Sequence, residues 1–237
     1  MRRARRTLAR RIARGLFWLT LAGVVASELV VLLLRFVPPP TTAFMLAARL
    51  DAWRDGDRDF RLRYRWTPYA RLAPELPIAL VAAEDQKFPI HHGFDVEAIR
   101  EAIEDADEGE PLRGASTISQ QTAKNLFLWS GHSFVRKGLE VWFTVLIELN
   151  WPKRRILEVY VNVAEFGPGI YGAAAASAAF FGKTPDTLTA SEAARLAAVL
   201  PNPRRHRVDA PSPYVLRRQL WIERQVRQLG GPDYLRR

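Results

Sequence analysis

The 237-residue sequence contains no cysteine and only four histidines, His91, His92, His132 and His206. The first absence excludes disulfides, thiolate metal sites and a cysteine nucleophile. The second argues against a histidine-rich metal centre. Beta-strand signal is also scarce, confined to one alternating stretch near residue 60. The chain does have an excess of positive charge, +10 in all. Seven arginines (positions 2, 3, 5, 6, 10, 11 and 14) lie within the first fourteen residues, which leaves +3 for the remainder. An excess gathered at one end is no signature of nucleic-acid binding, and no nucleic-acid partner is expected.

Behind that basic tail, residues 15–37 are apolar apart from Ser27, Glu28, Arg35 and a few glycine or threonine positions. Twenty-three residues at 1.5 Å rise reach about 34 Å, enough to cross a hydrocarbon core of about 30 Å. The arginines predict a cytoplasmic N-terminus, with everything after Val37 on the other side of the membrane. A cleaved signal peptide is the competing reading, but the apolar run continues well past Ala26-Ser27. Glu28 inside the span fits a protonated acid, a helix contact or a boundary position. Pro38-Pro39-Pro40 ends the run.

Residues 41–53 read as a helix. Phe60-Arg61-Leu62-Arg63-Tyr64-Arg65-Trp66 alternates strictly, which predicts a strand or extended segment with arginines on one face. That face fits packing on its own domain, and beside a membrane it also fits lipid headgroups. From Pro74 the pattern is helical throughout. Asp95, Ser133 and Ser212 are helix-capping candidates, Pro152 begins another helix, and Thr117-Ile118-Ser119-Gln120 and Thr189-Ala190-Ser191-Glu192 are capping boxes. Ala173 to Phe181 forms an alanine-rich helix stopped by Gly182. The expected organisation is a basic tail (1–14), a transmembrane helix (15–37), a stem (38–73) and a mostly α domain (74–231).

Five polar signatures punctuate that domain. An apolar run, Ile78 to Ala83, ends in Glu84-Asp85 and delivers carboxylates to a fixed place. Taken alone, it also fits a helix end with solvated acids. Gly114-Ala115-Ser116 opens a helix on which Thr117, Gln120, Gln121 and Lys124 share a face. Hydroxyl, amides and ammonium at a helix start suit a phosphate or a sugar, or simply a well-capped surface. Arg136, Lys137 and Glu140 place two cations beside one carboxylate within a largely apolar helix, which fits a buried functional cluster and, taken alone, also an exposed helical ion pair. Glu158 and Asn162, again one turn apart, read as inward hydrogen-bonding groups that tie helices together. Gly167, Gly169 and Gly172 mark a tight turn or a close backbone approach. Two glutamates in separate apolar settings suggest acid–base work on a sugar, and the cations beside the second suggest a phosphorylated leaving group.

The order Glu84-Asp-x-x-Phe-x-x-His-x-Gly93, Gly114-Ala-Ser-Thr-Ile-Ser-Gln-Gln-x-x-Lys-Asn125, Arg136-Lys-x-x-Glu140 and Lys153-x-x-Ile-Leu-Glu-x-Tyr-x-Asn162 resembles the peptidoglycan glycosyltransferases of family 51, in particular their monofunctional biosynthetic branch. The match covers about residues 74–205. Gln86 stands where many bifunctional members carry arginine, and Ala115 where many carry a second glycine. No transpeptidase domain is expected after Arg237. The resemblance implies a lysozyme-like α fold with a head lobe and a membrane-facing jaw lobe. It implies polymerisation of lipid II into β-1,4 glycan strands with release of undecaprenyl diphosphate. Glu84 then resembles the general base and Glu140 the second essential carboxylate, assisting departure directly or through a bound divalent cation. Lys124, Arg136 and Lys137 would hold the diphosphate, Ser116, Gln120 and Gln121 would contact substrate, and Asp85 would orient the first motif. No cofactor is required by the sequence. Expected partners are lipid II, the growing strand, the bilayer, and proteins of wall synthesis or division. The expected place is the bacterial inner membrane, single-pass, with the domain in the periplasm. A lytic or hydrolytic murein enzyme and a non-catalytic membrane-anchored scaffold are the alternative readings.

Overall fold

The structure, a computed structural model, describes residues 2–107, 116–131 and 133–236, without the side chains of 2–9, 103 and 105–107. The expected loop at Gly114-Ala115 lies outside the described residues. The chain divides into two units, Met1–Val37 and Pro38–Arg237.

The first unit is a single helix, α1 (Arg2–Phe36). It is long and apolar enough over Arg10–Phe36 to cross a membrane. The second unit is helical with one small sheet. Its elements are α2 (Ala43–Arg54), β1 (Arg63–Tyr64), a 3-10 turn at Tyr69–Arg71, α3 (Glu75–Glu84), α4 (Val96–Asp107), α5 (Ile118–Phe127), α6 (Phe134–Asn150), α7 (Lys153–Val163), β2 (Glu165–Gly167), β3 (Ile170–Tyr171), α8 (Gly172–Phe181), α9 (Ala190–Val199), α10 (Pro213–Leu229) and a closing 3-10 segment, Gly231–Arg236. Both capping boxes form: Thr117 and Gln120 bond reciprocally at the start of α5, and Thr189 and Glu192 at the start of α9. Asp95, Ser133 and Ser212 accept from backbone N–H groups two or three residues into their helices. Each satisfies a donor that a helix start otherwise leaves orphaned.

The alternating stretch pairs only at Arg63–Tyr64, because its partner β3 is two residues long. The sheet order is β1-β3-β2, with β1 parallel and β2 antiparallel to β3. Phe60, Leu62 and Tyr64 pack on Met45, Ala48 and Tyr171, while Arg61, Arg63 and Arg65 face outward. The glycine-rich turn makes this possible. A Cβ on Gly169 (φ +70) would lie 2.9 Å from the Arg61 carbonyl, and one on Gly172 (φ +79) 2.4 Å from the Asn162 carbonyl. Both positions need the left-handed backbone and the missing side chain together.

Helices α3, α9 and α10 pack together, α5 packs with α6 and α2, and α7 touches both groups. This is the lysozyme-like helical arrangement, with α3 at its centre: Leu76 through Ala82 are all buried. Asn162, fully buried on α7, bolts the stem to this core. Its Oδ1 accepts from Thr67 N (2.7 Å), and its Nδ2 donates to the carbonyls of Thr67 (2.9 Å) and Glu158 (2.8 Å). Glu158 accepts from Tyr69 N (2.8 Å) and pairs with Arg155 (2.7 Å). Its expected structural role is what these bonds describe. At about 1 kcal/mol per hydrogen bond, Asn162→Ala is expected to cost about 3 kcal/mol of stability. Glu158→Gln should cost about 1 kcal/mol and leave turnover per folded molecule intact. Thermal melts set beside activity of the soluble fraction check both.

Candidate active site

Glu84 is the last residue of α3, and the extended backbone of Asp85 (φ −164°) ends the helix there. The Gln121 carboxamide donates to Glu84 Oε2 (2.9 Å) and accepts from the Tyr160 hydroxyl (3.2 Å). The ionised Glu84 carboxylate can only accept, which fixes the amide so that its NH2 faces Glu84 and its oxygen faces Tyr160, whose pKa burial raises well above its ordinary value. Burial also raises the Glu84 pKa, while Gln121, Arg218 and Lys124 pull it back down. The carboxylate therefore combines a desolvated, basic oxygen with one steering donor.

Asp85 is buried. It accepts from Ile118 N (2.9 Å) at the start of α5 and from His91 Nε2 (2.9 Å). His91 Nδ1 in turn accepts from Gly93 N (3.1 Å), so the ring carries its proton on Nε2. Thr117 Oγ1 donates to the Gly93 carbonyl (2.7 Å). The 85–93 loop is thus clamped to the first turn of α5, and Glu84 is held to the helix that carries Gln121 and Lys124.

Lys124 lies three residues beyond Gln121 on α5, with its ammonium 5.7 Å from the Phe44 ring centre. Burial lowers its pKa, and the fields of Glu140 and Glu84 oppose that shift. On α6, Glu140 is buried with both oxygens engaged: Arg136 Nη1 and Lys137 Nζ each lie 2.6 Å away. Arg136 is buried too, and its Nε has no hydrogen-bond partner among the described residues.

Two cavities border Glu84 and its partner Gln121. One, of about 240 Å³, is lined by Glu84, Asp85, Lys87, Ser116, Thr117 and Trp221. The other, of about 220 Å³, is lined by Gln121, Lys124, Asn125, Tyr160 and Glu165 among others. Ser116 is exposed at the first cavity, and Gln121 and Lys124 share the second. Gln120 is buried, and its carboxamide oxygen accepts from Thr117 N (3.0 Å) to close the capping box. Of the expected substrate contacts it is the one whose oxygen serves a helix cap.

No local pattern around Arg218 marks it as a site residue. On α10 it donates to the Ala83 carbonyl (2.8 Å), stacks on Trp221 (4.1 Å to the ring centre) and acts electrostatically on Glu84. Its contact spans 135 residues of sequence. The available signal was its position between the buried Val215 and Ile222, on the inner edge of an amphipathic helix. Gln86 is also anchored there, by Gln225 (3.0 Å) and by Tyr234, which donates to its carbonyl (2.8 Å).

A central helix delivering one desolvated carboxylate beside a cationic cluster, within a lysozyme-like fold, defines a sugar-transferring class. Residues 57–227 match the transglycosylase family, and the chain belongs to it. It is 57% identical over 229 residues to the biosynthetic peptidoglycan transglycosylase of Xanthomonas campestris pv. campestris (strain B100), covering 95% of this chain and 93% of that protein. Identity is 56% over 226 residues to the protein of the same name from Xanthomonas oryzae pv. oryzae (strain KACC10331 / KXO85), covering 95% and 92%. To that of Xylella fastidiosa (strain M23) it is 55% over 222 residues, covering 94% and 91%.

Proposed function

We propose that this chain is a membrane-anchored peptidoglycan glycosyltransferase that joins lipid II units into β-1,4-linked strands and releases undecaprenyl diphosphate. The observation that carries this reading is the Glu84–Gln121 pair beside Lys124, Arg136 and Lys137. Glu84 takes the proton of the acceptor 4-hydroxyl as its oxygen attacks C1 of the donor. The new O–C1 bond forms on the face opposite the breaking C1–O–P bond, so the anomeric centre inverts. Negative charge grows on the departing diphosphate, where fixed cations stabilise the transition state more than the ground state. In this reading Lys124, Arg136 and Lys137 supply those charges.

Glu140 works through its partners in this reading. With both oxygens committed to Arg136 and Lys137, it orients two cations and keeps the cluster's net charge moderate. The neutralising charges are then side chains. A lytic enzyme needs one acid and has no use for such a cluster, and a scaffold needs neither carboxylate. The exposed apolar side chains of α6, Phe134, Val135, Trp142 and Leu149 among them, support contact with the bilayer that holds the lipid substrate. The seven arginines in the N-terminal part of α1 support a cytoplasmic N-terminus and a domain outside the cytoplasm.

Lys124→Ala is expected to lower kcat/KM on lipid II by about 100-fold, as loss of one transition-state donor does elsewhere. Its melting temperature should move by only a few degrees, because a half-buried lysine adds little to the core. Inhibition by inorganic diphosphate should weaken in parallel. A fall in stability that accounts for the whole loss of activity would assign Lys124 to the fold instead.

A further inference from the structure

Glu148 is a buried carboxylate that the chemistry above does not use. It lies on α6 one turn beyond Thr144 and two beyond Glu140, so the three share the face turned toward α5. Ser119 Oγ, fully buried on α5, donates to Glu148 Oε1, and Lys153 Nζ at the start of α7 lies 2.8 Å from the same oxygen. The Glu148 methylenes pack against the loop that follows Glu84. A Cβ on Gly93 (φ +88) would stand 3.0 Å from Glu148 Cγ and 3.0 Å from Thr144 Cγ2. Lys153 also covers Phe88 of that loop, 4.7 Å above the ring centre.

These contacts meet the base from the other side. Ile118 N is bonded to Asp85, the neighbour of Glu84, and the next residue, Ser119, is bonded to Glu148. The first turn of α5 is therefore held between the strand of chain that bears the base and the helix that bears Arg136, Lys137 and Glu140. Lys124 projects from the same α5. A shift of this turn would change the distance between the proton acceptor and the cations, and misplacements near 1 Å cost about 100-fold in rate.

We propose that Glu148 is a positioning residue for glycosyl transfer: by holding Ser119 and the Gly93 loop, it sets the spacing between Glu84 and the diphosphate-binding cations. This inference rests on the polymerase reading, and the same assay separates the two. Wild-type protein that fails to extend lipid II would sink that reading. Wild-type extension with unaffected variants would sink only the role of Glu148.

The experiment measures kcat, KM for lipid II and inhibition by inorganic diphosphate on the full chain in detergent, well below each variant's melting temperature. Glu148→Ala is expected to lower kcat by 10- to 100-fold with KM changed less than about threefold. Ser119→Ala should lower kcat in the same sense. Glu148→Gln keeps an acceptor for Ser119 and is expected to recover most of the lost kcat, although it loses the charge pairing with Lys153. If Glu148→Ala does not fold, Ser119→Ala and Glu148→Gln carry the test, since both leave the helix interface nearly filled. A lower melting temperature with unchanged kcat per folded molecule would overturn the proposal. So would a loss confined to KM, or a Glu148→Gln variant as impaired as Glu148→Ala.

Discussion

Glu84→Gln is expected to lose at least about 100-fold in strand synthesis while folding normally and still binding lipid II, since removing a general base costs about 10²–10⁴-fold. Glutamine keeps the size and one oxygen for Gln121 but cannot take a proton. The variant should also be more stable than the wild type at neutral pH. Burial raises the Glu84 pKa above its ordinary value of 4.5, so the folded protein holds that proton more tightly than the unfolded chain. A carboxyl with a raised folded pKa costs stability once it ionises, and the cost grows as pH rises above the unfolded value. Glutamine carries no such cost. The gain in melting temperature should therefore be present at pH 7 and vanish below the ordinary carboxylate pKa. The activity of the wild type should show an acid limb displaced upward in the same direction, because only ionised Glu84 accepts the proton. Near wild-type polymerisation by Glu84→Gln would remove the base from the scheme.

Glu140→Gln has the second large expected effect, and it combines stability with turnover. The substitution leaves Arg136 buried with its charge unopposed, which costs about 3–5 kcal/mol when one member of a buried pair is removed. For a chain of this size that lowers the melting temperature by on the order of 10 °C. Strand synthesis should fall by about 100-fold or more, since the guanidinium and ammonium lose the group that aims them. The pair Arg136→Met with Glu140→Leu separates the two contributions. It replaces ions with apolar side chains of similar size, so it should recover most of the stability and none of the activity. Recovery of both would mean that the cluster only stabilises the helix.

Much of this site is local, and that is why it was legible. Glu84 ends an apolar run, Lys124 sits on a helix announced by its own capping box, and Arg136, Lys137 and Glu140 meet one another within a single turn. The helices were legible for the same reason: their caps at Asp95, Thr117, Ser133, Thr189 and Ser212 are short-range hydrogen bonds. At Gln120, spacing gives the face of Gln121, while the capping box engages the carboxamide oxygen, a local bond that spacing alone does not weigh. The stretch Phe60–Trp66 alternates over seven residues, yet its ladder is as short as its partner β3 allows. Arg218, Glu148 and the Asp85–Ile118 bond are long-range: their partners lie 135, 29 and 33 residues away. No pattern along the chain announces such meetings, and these contacts join the two halves of the site.

The most direct measurement supplies purified full-length protein with lipid II in detergent and counts glycosidic bonds and diphosphate together. The expected result is lengthening β-1,4 strands, one undecaprenyl diphosphate released for each bond formed, and loss of both signals in Glu84→Gln. Solubilisation of finished sacculi without use of lipid II, or bond formation that survives Glu84→Gln unchanged, would contradict it.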